Sequence, residues 1–322
     1  MNELKPNSDL PRIIFMGYGK GLKLICEQAK KDFNIVGIFT QSKNFYKENI
    51  NYFENLKKYD LYHDIVDYCE QEHIDCFQSD SVTDKEALKW FKKKNPDLII
   101  CYSLWEIVKE PFLKSFPKTF NIHGSNIPNL MGRAPQSWGI LNGFKKIGWS
   151  IHKMTKDIDQ GDIAIRTSIP IKENDIPLTI LNRQLEELPK LINHFLKDYF
   201  NNKIKYKKPN SYKGNYWPRL NTEIDGEINW NSSSVTLERV IRAFNRPFPG
   251  AWINIKKNKV RILEAKIFNE DFVSTKPGII YRIDNTGCYV TTLDGAIIIS
   301  KIESDGIEKK ASEYFRLGQI LS

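Results

Sequence analysis

The sequence predicts an α/β protein: a doubly wound parallel sheet followed by a small β-barrel. Three observations carry this. Short apolar strands alternate with amphipathic helices through roughly the first 200 residues, the pattern of βαβ units. One of those strands, Pro96-Asp-Leu-Ile-Ile-Cys101, is a continuous apolar run of the kind buried on both faces of a parallel sheet. Beyond about residue 250 the pattern changes to closely spaced strands with hairpin signals, Asp284-Asn-Thr-Gly287 and Asp294-Gly295, which suit a barrel of about five strands.

Each element can be read in order. Arg12-Ile-Ile-Phe-Met16 is a strand, Gly17-Tyr-Gly-Lys-Gly21 turns the chain, and a helical pattern starts at Leu22. A strand over 34–39 precedes a helix predicted at 55–71, a short strand at 74–77 and a helix at 83–94. After the strand ending at Cys101 comes another at 119–122, then a loop punctuated by Gly124, Pro128, Gly132 and Pro135. A helix at 135–143, strands at 149–154 and 163–170 around the polar turn 157–162, and a long amphipathic helix at 178–200 follow. Residues 204–222 are rich in Lys, Asn, Tyr, Gly and Pro and read as a linker between domains 1–203 and 223–322. The second domain has a helix at 234–243, Pro247-Phe-Pro-Gly250, and strands at 251–255, 260–268, 278–283, 288–292 and 296–302.

Composition bounds the function. A chain of 322 residues allows about two domains, and 41% hydrophobic residues can bury a sizeable core. The net charge is +9, but the runs Lys92-Lys93-Lys94, Lys207-Lys208 and Lys309-Lys310 are short and scattered. They read as solvated surface rather than a nucleic-acid stripe. Cys26, Cys69, Cys76, Cys101 and Cys288 form no C-x-x-C pair, which argues against a disulfide framework or a zinc site and fits a reducing compartment. The first residues lack a signal-like apolar stretch and no run approaches a membrane span, so a cytoplasmic protein without membrane attachment is expected.

Three motifs carry candidate chemistry. Gly17-x-Gly19-x-Gly21 departs from the dinucleotide fingerprint, because Leu22 stands at the third glycine position and the second strand ends in Phe39-Thr-Gln-Ser42 with no acid for a ribose. It reads as a tight turn. Asn121 and His123 alternate at the end of a strand, so both project to one face where open α/β sheets bind ligands. An amide and an imidazole can each donate to a developing oxyanion, and the imidazole can also move protons. A structural histidine remains the alternative there. Asp157-Ile-Asp159-Gln-Gly161-Asp162 can cap a turn or orient an imidazole, and it offers too few ligands at the right spacing for calcium.

Together, Asn121-x-His123-Gly-Ser125, Pro128, Gly132-Arg-Ala-Pro135 and Asp-x-Asp159-x-Gly161-Asp resemble the folate-dependent formyltransferase family. The resemblance continues through Asp225-Gly-Glu-Ile-Asn-Trp230, Leu237–Phe244 and Pro247-Phe-Pro-Gly-Ala-Trp252, which look like the C-terminal domain of methionyl-tRNA formyltransferases and their relatives. It implies a Rossmann-like catalytic domain, an OB-like second domain, and a one-carbon transferase using 10-formyltetrahydrofolate without a metal. It implies catalytic roles for Asn121, His123 and Asp159, with either of the last two as general base. Folate contacts are implied for Ser103, Leu104, Trp105 and Ile107 and for Thr155, Lys156, Asp157 and Ile158, and substrate contacts for Ser125, Gly132, Arg133 and Gln136.

Two branches fit the length: formylation of methionyl-tRNA, and formylation of a nucleotide-linked amino sugar. Met131-Gly-Arg-Ala-Pro-Gln-Ser-Trp138 resembles the amino-sugar enzymes, where the tRNA branch usually has Gly-Ala-Ala-Pro. The tRNA enzymes carry a basic, Pro/Gly-rich insertion after the second strand; here Thr40–Ile50 has two Lys, one Glu and no Gly or Pro. The charge excess is also modest for a partner gripped through many phosphates. The expected partner is therefore a dTDP-linked amino dideoxy sugar destined for an O-antigen-like glycan, with nucleic acid disfavoured and a homodimer allowed.

Overall fold

The computed structural model describes residues 10–210, 214–256, 258–269 and 276–321. The leader reading of the first residues and positions 211–213 of the linker reading lie outside them. The chain divides into two compact units. One comprises residues up to Gly132, Ile147–Ile169 and Asn182–Tyr216; the other comprises Arg133–Lys146, Pro170–Leu181 and Trp217 onward.

In chain order the elements are β1 (Arg12–Gly17), α1 (Gly19–Ala29), β2 (Asn34–Thr40), α2 (Lys43–Glu48), α3 (Ile50–Lys58), α4 (Ile65–Gln71), β3 (Cys76–Gln78), α5 (Lys85–Lys94), β4 (Leu98–Tyr102), α6 (Glu110–Ser115) and β5 (Thr119–His123). Then come β6 (Met131–Gly132), α7 (Pro135–Leu141), β7 (Lys146–Ile147), β8 (Ser150–Lys153), β9 (Ile163–Arg166), β10 (Ile169–Pro170) and α8 (Pro177–Phe200). The remainder holds β11 (Tyr216–Trp217), α9 (Thr222–Asp225), α10 (Ser234–Ala243), β12 (Ala251–Ile255), β13 (Asn258–Phe268), β14 (Ile280–Asp284), β15 (Gly287–Thr291), β16 (Ala296–Ser304), β17 (Ile307–Lys310) and α11 (Ala311–Tyr314).

The first unit is built on a seven-stranded sheet in the order β3-β2-β1-β4-β5-β8-β9. Strands β3 through β5 are mutually parallel, whereas β8 and β9 join as antiparallel additions. All five residues of β4 are buried, as its unbroken apolar run requires. At Gly17 (φ +132°) an added Cβ would lie 1.6 Å from the Tyr102 carbonyl oxygen, so this glycine serves the close approach of β1 to β4. That is the physical content of the tight turn read from the sequence.

The helix predicted over 55–71 is interrupted. Asp60 takes φ +54°, the Leu61 N–H returns to the Leu56 carbonyl, and Asp64 then caps α4 by accepting from Val66 N and Asp67 N. Helix α2, absent from the sequence reading, is started by Ser42, whose hydroxyl accepts from Phe45 N. Both features depend on caps, which apolar periodicity does not register.

The second unit carries an antiparallel sheet in the order β12-β13-β16-β15-β14, with β17 paired to β16. Val260, Ile262, Val290, Ile297, Ile299 and Ile302 are wholly buried in it. Strand β17 is the one the sequence reading lacks, since Glu308-Lys-Lys310 offers no apolar alternation. Its hairpin turns on Asp305 (φ +54°) and Gly306 (φ +74°), the pair of positive φ values that a two-residue turn matched to strand twist needs.

Candidate active site

Strand β5 supplies two side chains. Asn121 lies opposite Cys101 of β4 and His152 of β8, and His123 lies opposite Ser150. Beyond β5 the chain folds back over this edge. His123 Nε2 donates to the Leu130 carbonyl at 2.7 Å, and the fully buried Ser125 donates its hydroxyl to the same oxygen at 2.8 Å. Ser150 fastens the loop from below, donating to Ser125 O (2.6 Å) and accepting from Ile127 N (3.1 Å).

Asp159 arrives from the turn between β8 and β9, in a left-handed conformation (φ +55°). Two residues later, Gly161 lies so close to the Lys153 carbonyl that an added Cβ would stand 1.8 Å from its oxygen. The return of the chain is tied by Lys153 N to Asp162 O at 2.9 Å. This geometry drives the Asp159 carboxylate inward, where Oδ2 accepts from Gly132 N (2.8 Å) and lies 3.6 Å from His123 Nδ1. Asp159 and His123 are each only 8% exposed, so these interactions are little screened.

Oδ1 of Asp159 faces a residue the sequence reading missed: His152 Nε2, at 3.4 Å. The same nitrogen lies 3.3 Å from Asn121 Nδ2, and His152 Nδ1 donates to Lys153 O at 2.9 Å. Burial alone would push the Asp159 carboxyl up. The charge of His123, the neighbouring His152 ring and the Gly132 N–H outweigh burial and hold it well below the usual carboxylate range. Cys101, beside Asn121 in the ladder, is inert by contrast, since burial pushes its thiol up to about 12.

The other sequence candidates lie where β4 and β8 end. Ser103 (φ +55°) is exposed, Leu104 packs on the core, and Ile107 is 56% exposed. Trp105 sits among Phe45, Tyr52, Tyr18 and Phe53, with ring centroids 5.0, 5.2, 6.3 and 6.5 Å away. Thr155, Lys156 and Asp157 are exposed and Ile158 is half-buried, with Thr155 Oγ1 donating to Asp157 O. Arg133 and Gln136 belong to the second unit: Arg133 is exposed with its backbone N donating to Trp217 O (2.9 Å), and Gln136 is half-buried in the first turn of α7. A separate cavity of about 390 Å³ lies along β9, against Arg166, Thr167, Lys205 and Lys207; none of the four clustered side chains lines it. Among the described residues, no group of three or more His, Cys, Asp or Glu is placed to hold a metal ion, and no helix is long and apolar enough to cross a membrane.

Thus the structure brings Asn121, His123 and Asp159 together and adds His152: an amide and two imidazoles around one buried carboxylate, a setting that can stabilise a developing oxyanion. Comparison with known proteins agrees. The methionyl-tRNA formyltransferase of Thermotoga neapolitana is 27% identical over 317 residues, 96% of each chain. WlaRD, a sugar 3N-formyl transferase solved with dTDP and 5-N-formyl-THF, is similar in structure (TM-score 0.67, 18% identity, 93% of this chain and 100% of that one). So is an N-formyltransferase from Helicobacter canadensis in complex with folinic acid and dTDP-3-aminofucose (TM-score 0.66, 20% identity, 90% and 99%). The formyl transferase family model matches residues 11–196 and the formyl transferase C-terminal domain model matches 221–317, so this chain is a formyl-transferring enzyme of that family.

Proposed function

We propose that the enzyme moves a formyl group from 10-formyltetrahydrofolate to the amine of a nucleotide-linked amino dideoxy sugar, with dTDP as the nucleotide and a surface glycan as the destination. The observation that carries formyl transfer is the convergence of Asn121, His123 and the ionised Asp159 within a buried cluster. When bound, the folate supplies an activated formyl carbon. The more than half-exposed Ile107, just past the β4 end, and the exposed residues 155–157 fit its apolar ring and polar edge. We assign Ser103, Leu104, Trp105, Ile107 and Thr155–Ile158 to that contact. Gly132, Arg133 and Gln136 are assigned to the acceptor, and Ser125 holds the Leu130 carbonyl from inside.

Asn121 donates an amide N–H to the negative charge that develops on the formyl oxygen. His123 Nε2–H, held by the Leu130 carbonyl in the free protein, passes to the same oxygen, because an oxyanion is the stronger acceptor. A single donor of this kind contributes roughly 2.7–4 kcal/mol. A carboxyl held as low as that of Asp159 is a weak final proton acceptor. We therefore give Asp159 the orientation and charge stabilisation of His123, and give His123 the relay of the amine proton to the leaving nitrogen.

The acceptor choice is supported by the segment after β2. Its helices α2 and α3 pack Phe45, Tyr46, Tyr52 and Phe53 into an aromatic cluster with Trp105 and Tyr62. Lys57 pairs with Glu54 there, which supports reading the segment as a folded aromatic cap rather than a loop reaching for RNA. The second reading, methionyl-tRNA formylation, is favoured by the full-length tRNA-enzyme relative and the +9 charge. A panel of dTDP-, UDP- and GDP-linked amino sugars, assayed with 10-formyltetrahydrofolate and product mass detection, tests the proposal. Formylation of a dTDP-linked acceptor is expected; inertness toward every amino sugar would overturn it.

A further inference from the structure

We infer that His152 is a positioning residue that fixes the orientation of the Asn121 amide, turning its nitrogen to the reacting formyl oxygen; this rests on the formyl-transfer reading above. The inference begins with the ring's own proton. Lys153 O can only accept, so the Nδ1 that meets it at 2.9 Å carries hydrogen. Nε2 of the neutral ring is then an acceptor. It faces Asn121 Nδ2 at 3.3 Å, across the cross-strand pair Asn121–His152.

An amide nitrogen brings two N–H groups. One is taken by His152, and the other is left to point away from the ring. If the amide were turned over, its oxygen would meet the Nε2 lone pair and approach Asp159 Oδ1, which itself lies 3.4 Å from Nε2. Acceptors would then face one another in a place where His152 is 2% exposed and water offers little relief. The ring and the carboxylate together select the amide orientation in which one N–H meets Nε2 and the second is left to donate.

The neighbouring histidine explains why His152 keeps its lone pair. Both nitrogens of His123 face acceptors, Leu130 O and Asp159 Oδ2, which is the pattern an imidazolium satisfies. His152 Nε2 instead faces one donor and one acceptor. Lys153 O, Asn121 and Asp159 are the polar groups that meet His152.

The test compares His152→Gln with His152→Leu. A glutamine amide oxygen can occupy the Nε2 position and accept from Asn121, but it carries no titratable proton; leucine only fills space. kcat is measured for formyl transfer and for the hydrolysis of 10-formyltetrahydrofolate by water, which needs the same oxyanion contact and no sugar. The leucine variant is expected to lose up to about a hundredfold in kcat in both reactions, the scale of a misplaced catalytic group. KM for the formyl donor should stay nearly constant, and the glutamine variant should recover most of kcat. Glutamine no better than leucine would overturn the assignment in favour of a proton-carrying role. A fully active leucine variant would overturn it in favour of plain packing. If leucine unfolds the chain, His152→Met replaces it as the apolar variant. Failure of the sugar assignment would show separately, as a wild-type chain that hydrolyses the donor but formylates no amino sugar.

Discussion

Substituting Gly161→Ala tests how Asp159 is placed. The new Cβ would stand 1.8 Å from the Lys153 carbonyl oxygen, 2.8 Å from its carbon and 3.2 Å from Thr155 Cγ2. Ordinary contact begins at 3.4 Å, so the turn must open by about 1.6 Å at its tightest point. The nearest obstacle is backbone, and side-chain rotation cannot relieve it. Asp159 is two residues upstream, and its carboxylate meets Gly132 N at 2.8 Å, a bond that tolerates little displacement. A shift near 1 Å at a catalytic group costs about a hundredfold in rate, and the strain should cost roughly 1–3 kcal/mol of stability. Steady-state formyl transfer, paired with urea unfolding, measures both. A folded Gly161→Ala enzyme with kcat within about threefold of wild type would refute the idea that this turn sets the carboxylate.

Three further outcomes are expected. Asn121→Ala should lower kcat by about 10²–10³ with the fold intact, read from initial rates and thermal unfolding. Asp159→Asn should destabilise the protein by roughly 3–5 kcal/mol near neutral pH, because it removes the buried carboxylate that meets Gly132 N and two imidazoles. The pH dependence follows from the sign of the shift: the folded carboxyl is depressed, so its contribution is complete above the unfolded value near ~4 and is lost as pH falls through and below it. Wild type should therefore lose stability progressively from about pH 5 downward, past about pH 3, along a slope that Asp159→Asn partly lacks, measured by urea midpoints. Ser150→Ala removes the donor to Ser125 O and the acceptor of Ile127 N, and should cost about 1–3 kcal/mol while lowering kcat through the loosened Leu130 loop.

Much of the site was legible because its signals are local. Asn121 and His123 share a face by strand alternation alone, and Gly161 marks a turn two residues from Asp159. His152 was not legible, because its place opposite Asn121 depends on β8 entering the sheet antiparallel to β5. No local pattern in Ser150-Ile-His-Lys153 states that pairing; a second histidine at one-in, one-out strand spacing was the available hint. The Leu130 carbonyl that holds His123 belongs to backbone, and backbone partners leave no trace in residue identity. Trp105 is engaged by four aromatic rings, three of them on helices α2 and α3 or their lead-in, and the break after α3 was hidden by continuous apolar periodicity across Leu56–Leu61. The fold class was easier, since the change from βαβ alternation to close hairpins is a change of period rather than of any single residue.

The most direct test of the central claim is a competition: one limiting pool of 10-formyltetrahydrofolate, with a dTDP-linked amino dideoxy sugar and initiator methionyl-tRNA offered together at equal concentration. The account expects the formyl group on the sugar amine, with kcat/KM for the sugar at least about a hundredfold above that for the tRNA. Formyl-methionyl-tRNA as the dominant product would contradict it.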